Sequence, residues 1–119
     1  MNGDNFLEKY EKFELLHGIN QMLDDFRSFK IEFPSSISNK KLEINSDAFK
    51  IMVGILAYIA SKEHRTVPMW VSNEKLSFDY PYYLSNRLDS ADKVRLFITS
   101  PSVLANKNIF LDTESLVRM

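Results

Sequence analysis

Cysteine is absent from the 119 residues. Its absence excludes a disulfide framework, thiol catalysis and thiolate metal sites together, and it fits the reducing cytoplasm in which we expect the protein to work. Glycine is scarce as well. Gly3, Gly18 and Gly54 stand far apart, so neither a phosphate-cradling P-loop nor a dinucleotide-binding glycine turn can be built. Histidine is limited to His17 and His64, neither with a second ligand at helical spacing, and H-E-x-x-H does not occur. We therefore expect no metal and no cofactor. No serine occupies a G-x-S-x-G elbow, and no catalytic residue is assigned. Charge of one sign is also missing: the net formal charge is −1, with −2 over residues 1–60 and +1 over 61–119. A nucleic-acid backbone or an acidic membrane finds no broad basic field here. The longest strongly apolar run, residues 51–60, is well short of the roughly 20 residues a membrane span requires, and reads as a buried helix. Residues 1–10 lack the apolar core of a signal peptide.

What is present is ordinary globular material. Hydrophobic residues at 45% and charged residues at 26% argue against disorder, and the length fits one domain over residues 1–119. Pro34, Pro68, Pro81 and Pro101 punctuate the chain outside its strongly periodic stretches. The opening segment reads as helix, with Asp4 or Asn5 as cap and Glu8 completing a capping box. Its apolar residues form two stripes: Phe6, Tyr10 and Phe13 on one face, and Leu15, Ile19, Met22 and Phe26 on a face rotated by roughly 160°. The change of face falls at His17-Gly18. Either Gly18 breaks the segment into two helices that share one core, or one helix continues and Phe6, Tyr10 and Phe13 meet a second chain, most simply a two-fold copy.

Residues 29–33 and 41–44 alternate apolar and charged side chains around Pro34, which predicts a small β-hairpin over residues 29–44. Pairing Ile31 with Leu42 would set Lys30 opposite Glu43 and Glu32 opposite Lys41, matching opposite charges. Asn45 or Ser46 caps the next helix, residues 47–62, whose apolar residues almost encircle it and place it centrally. Gly54, Ala57 and Ser61 form a stripe of small residues that suits close approach of another element. Trp70, Phe78, Tyr80, Tyr82 and Tyr83 then gather, interleaved with Pro68 and Pro81. Pro81 disfavours helix at Tyr80, so residues 79–83 read as extended or turn. Ser90 caps a helix with Ala91, Val94, Phe97 and Ile98 facing inward, and Ser100-Pro101 starts a short helix holding Val103 and Leu104. Residues 109–111 read as a brief strand, and Asp112 or Thr113 caps a last turn with Leu116 and Val117.

Glu63-His64-Arg65 offers a carboxylate, an imidazole and a guanidinium, but consecutive helical residues point apart. His64 reads as a cation at the carbonyl end of its helix. Trp70, Tyr80, Tyr82 and Tyr83 remain as ligand or interface aromatics. Three functional classes follow. The first is a non-catalytic protein-binding module, a homodimer or the partner of another protein, using Phe6, Tyr10 and Phe13. The second is a small enzyme using His64 with Tyr82 or Tyr83. The third is a weak nucleic-acid binder, which would need Lys40, Lys41, Arg65 and Arg87 on one face.

In residues 68–119, the series Trp70, Pro81-Tyr82, Arg95, Ser100-Pro101, Asn108-Ile109-Phe110, Leu116 and Arg118 resembles a group of small uncharacterised bacterial proteins. Some of these are encoded beside nucleotidyltransferase-fold proteins in toxin-antitoxin-like gene pairs. Leu104, where the group usually has an aromatic, and Lys107, where it has arginine, depart from the pattern. The resemblance implies an antitoxin-like role and a nucleotidyltransferase-fold partner, with no active-site motif. The expected fold is α+β and mainly helical, with a central helix at 47–62, the hairpin beside it and short C-terminal helices around it.

Overall fold

Eight side chains from Phe49 to Ile59 leave a helix almost no polar face, and in the computed structural model that helix, Asp47–Lys62, runs through the core. The model describes residues 6–84 and 90–111, excepting the side chains of residues 90, 92, 94 and 95. The helix has the predicted bounds because its ends are chemically marked. The Ser46 hydroxyl accepts a hydrogen bond from the Phe49 amide at 3.1 Å, Asp47 lies in the first turn and Lys62 in the last.

In chain order the elements are α1 (Glu8–Glu11), α2 (Leu15–Arg27), α3 (Asn39–Glu43), α4 (Asp47–Lys62), 3₁₀ turns at Met69–Ser72 and Glu74–Leu76, β1 (Tyr82–Leu84), α5 (Ser90–Thr99), α6 (Ser102–Ala105) and β2 (Ile109–Leu111). The two strands pair in parallel, Tyr82 opposite Ile109, Tyr83 opposite Phe110 and Leu84 opposite Leu111. A parallel pair needs a crossover, and α5 with α6 lies within it. The fold is thus mainly helical α+β. Among the described residues no helix is long and apolar enough to cross a membrane.

The N-terminal segment does break into two helices, but the break falls at residues 12–14, before Gly18. Gly18 lies inside α2 and donates its N–H to Glu14 O at 2.8 Å. Its missing side chain admits the Tyr10 carbonyl instead. The chain folds back at the break, so Tyr10 and the α2 face of Ile19, Met22, Leu23 and Phe26 enter one core with α4. The Asp4 or Asn5 cap and the last turn from Asp112 lie outside the described residues.

The hairpin at 29–44 does not form. Phe29 adopts a left-handed φ of 60°, Ile31 and Phe33 pack singly on the core, and residues 39–43 are the helix α3. The competing signal is local capping: the Ser38 hydroxyl accepts from the Lys41 amide at 3.1 Å, and Asn45 Nδ2 donates to the carbonyls of Leu42 at 2.8 Å and Lys41 at 3.3 Å. A strand ladder cannot offer those bonds without a partner strand of equal length.

Helix α5 is also turned from the expected face. Leu96 is buried, while Ala91, Phe97 and Ile98 are exposed; the Val94 side chain lies outside the described residues. Ser100 does not cap α6. Its hydroxyl donates to Leu96 O at 2.6 Å and accepts from the Leu111 amide at 3.0 Å, tying the end of α5 to β2, and α6 begins after Pro101. The stripe on α4 does admit a close neighbour: Leu104, Lys107 and Ile109 crowd over Gly54.

Candidate functional site

Helices α2 and α4 finish side by side, and their ends are built alike. At the end of α2, Lys30 N–H donates to Asp25 O at 2.9 Å and Phe29 N–H to Phe26 O at 3.1 Å. At the end of α4, Arg65 N–H donates to Ala60 O at 2.8 Å and His64 N–H to Ser61 O at 3.3 Å. Both are Schellman closures, which require a left-handed residue where glycine is the usual occupant. Here the residues are Phe29, with φ 60°, and His64, with φ 57°. The chain thus places a phenyl ring and an imidazole at two positions whose backbone favours no side chain at all.

Arg65 joins the two ends. Its Nη1 donates to Phe26 O at 2.7 Å, satisfying a carbonyl in the last turn of α2, and its Nη2 lies 3.2 Å from Glu63 Oε1. The guanidinium carbon sits 4.2 Å from the Phe26 ring centroid and 4.0 Å from that of Phe29. A half-buried guanidinium between two aromatic faces gains about 1 kcal/mol from each. Arg27 Nε, at 3.8 Å from Glu63 Oε2, adds a second cation to the same carboxylate. Phe26, Phe29, Glu32, Phe33, His64, Arg65, Thr66 and Pro68 line an open cleft of about 560 Å³ between these ends. That volume lies in the range of ordinary ligand pockets.

Two of the aromatics singled out in the sequence stand behind this cleft. Phe6 and Trp70 both pack on Phe33, at 5.7 and 6.1 Å between centroids, and Trp70 Nε1 donates to Pro34 O at 2.7 Å. The other members are scattered. Tyr82 stacks on Phe78 at 4.9 Å, Tyr83 on Phe110 at 5.3 Å, and Tyr80 projects into solvent. Trp70, Tyr80, Tyr82 and Tyr83 therefore form no single platform. Nor is His64 hydrogen-bonded to Tyr82 or Tyr83.

The face of Phe6, Tyr10 and Phe13 is corrected by the fold. Tyr10 is buried in its own chain, where its hydroxyl donates to Asp25 Oδ2 at 2.6 Å, and Phe6 is half-buried. Phe13 alone stays exposed, edge-on to His17 at 4.9 Å. The break at residues 12–14 divides the stripe, so no continuous aromatic face is left for a second chain. The basic cluster fares no better: Lys41 lies over the Phe49 ring, Arg65 is paired with Glu63, and Arg87 lies outside the described residues. Among the described residues no three His, Asp or Glu side chains group to hold a metal.

A second feature was not legible in the sequence. Lys107 is only 6% exposed, and its ammonium donates to the Val71 carbonyl with no carboxylate in ion-pair range among the described residues. Burial pulls its pKa from 10.5 down to about 8. Between these values the unfolded chain holds a proton that the folded chain has released, so stability rises with pH through that window, by about 2 kcal/mol. Tyr10 acts in the opposite sense. Its burial, with the Asp25 hydrogen bond and charge, raises its pKa above the ordinary 10, so the folded state keeps a proton that the unfolded state loses, and stability falls as pH climbs past 10. Urea melts are therefore expected to show a stability maximum near pH 10, and Lys107→Met to remove the rise that leads to it. A wild-type protein whose stability is flat between pH 8 and 10 would contradict the buried cation.

The fold and its most elaborate surface define a small, mainly helical α+β protein with an aromatic cleft at two helix ends. No protein family, curated protein or solved structure matches the chain.

Proposed function

We propose that the chain is a non-catalytic protein-binding module that docks its partner in the cleft between the ends of α2 and α4, and that the first partner is a second copy of itself in the cytoplasm. The observation that carries this reading is Phe29. Its left-handed backbone costs about 1 kcal/mol relative to glycine, and the residue is 71% exposed. Covering such a ring is worth roughly 2 kcal/mol, more than the backbone strain, and Arg65 covers only one side of it. The flanking Phe33 is held from behind by Phe6 and Trp70 and packs edge-on against Phe26, so the cleft is preorganised and loses little side-chain freedom on binding. On the same reading, the likeness of residues 68–119 to antitoxin-like proteins makes a nucleotidyltransferase-fold protein the other occupant to test.

Phe29→Gly separates binding from folding, because glycine relieves the backbone at that position. Light scattering at high micromolar concentration is expected to give a wild-type dimer and a Phe29→Gly monomer with an unchanged melting transition. A monomeric wild type would overturn the self-association. A nucleotidyltransferase-fold complex unaffected by Phe29→Gly would overturn the cleft as the docking site.

A further inference from the structure

Buried charges are ordinarily paired with opposite charges, because an ion held away from water without a counter-ion is unstable. Lys107 breaks that rule. Its stem crosses Gly54, whose added Cβ would lie 3.5 Å from Lys107 Cδ, so the small-residue stripe of α4 is what lets the chain pass inward. Its head reaches the carbonyl of Val71, next to Ser72, and that carbonyl occupies one of its three donors. Beside it lies a cavity of about 410 Å³. Ser72, Ser77 and Asn106 supply hydroxyl and amide groups to its lining, and Ala57, Val67 and Val103 supply apolar walls. Among the described residues two of the three N–H donors of this buried cation meet no acceptor, and a partly apolar space is at hand.

We propose that this cavity is a binding site for a small aliphatic monocarboxylate, whose carboxylate pairs with the Lys107 ammonium beside Ser72 and whose branched hydrocarbon body lies against Val67 and Val103. A carboxylate supplies the missing counter-charge and takes charge-assisted hydrogen bonds. A single negative charge matches the single cation, whereas a doubly charged phosphate would leave one charge uncompensated against the valines. The site is distinct from the docking cleft, although Val67 lines the one while its neighbours Thr66 and Pro68 line the other.

The test is calorimetric titration of the full chain with 3-methylbutanoate, its neutral amide and inorganic phosphate. The acid is expected to bind saturably at one site, at least tenfold more tightly than the amide or phosphate. Because the bound carboxylate favours the ammonium, proton uptake should accompany binding above pH 8. Lys107→Met should lose tenfold or more in affinity. Removing an unpaired buried charge spares the fold, which the melting transition verifies. Absence of saturable binding, equal affinity for acid and amide, tighter binding of phosphate, or full affinity in a folded Lys107→Met variant would each overturn the proposal; the first three need no variant.

Discussion

Replacing Ile55 with aspartate is expected to leave a chain with no cooperative thermal transition. Ile55 is fully buried in the middle of α4, with Phe49, Met52, Leu56 and Ile59 of the same helix also inside. A carboxylate there loses the transfer energy of the isoleucine and must either stay charged without a partner or bind a proton. Each outcome costs several kcal/mol, comparable with the whole stability of a domain this size. Circular dichroism on heating checks it: a soluble, sharply melting Ile55→Asp variant would remove α4 from the centre of the fold.

Gly18→Ala should destabilise by about 3 kcal/mol, although alanine is the better helix former by about 1 kcal/mol. The added methyl would collide with the Tyr10 carbonyl oxygen and stand 3.0 Å from Met52 Cε. A backbone oxygen cannot rotate aside, so α1 must lift from α2, and the bond from Tyr10 to Asp25 lengthens with it. Gly54→Ala is the control. Its methyl would meet Ile109 Cδ1 at 2.7 Å and Leu104 Cδ2 at 3.4 Å, both ends of side chains that can rearrange. Urea denaturation should rank the losses Gly18→Ala above Gly54→Ala. The reverse order would show that the Tyr10 carbonyl is free to move.

Where the chain carried its own punctuation, its sequence was a sufficient guide. Ser46, Asp47 and Lys62 mark both ends of α4, and the apolar residues between them leave no choice about burial. Residues 79–83 read as extended or turn because of Pro81, and residues 109–111 as a brief strand, but nothing local could announce that residues 82–84 and 109–111 pair in parallel across α5 and α6. The failures came where two signals competed. Residues 29–33 alternate as a strand does, yet the alternation was produced by a helix end at Phe29 followed by single anchors at Ile31 and Phe33. Ser38, three residues before Lys41, is a helix-start signal that competes with that alternation and prevails. At Gly18 the sequence leaves a break and a continuous helix both open, because the use of this glycine is contact with Tyr10, a tertiary reason that composition does not carry.

The candidate site was legible only in its parts. Phe6, His64, Arg65 and Trp70 were all noticed, but as members of different groups. Phe26 and Phe29, which complete the cleft, looked like core and strand. No pattern in sequence marks a phenylalanine in a left-handed position, since glycine is what that geometry leads one to expect. Lys107 gave no signal for a similar reason: an isolated lysine in a turn reads as solvated, and only the approach of its stem to Gly54 takes it inside.

The parallel pairing of β1 and β2 also sets an order in time. Tyr82 and Ile109 are some 27 residues apart, and drawing them together costs about 3 kcal/mol of loop-closure entropy before three short pairs can offset it. Helices α2 and α4 supply most of the buried core, whereas the strands add Ile109 and Leu111. The ladder is therefore expected to be the last element to close and the first to open. Amide exchange in β1 and β2 is expected to outpace that in α4, and equal protection of strands and helix would contradict this order. Lys107, placed in the turn that leads into β2, is then expected to meet water through the same opening, before the chain unfolds globally.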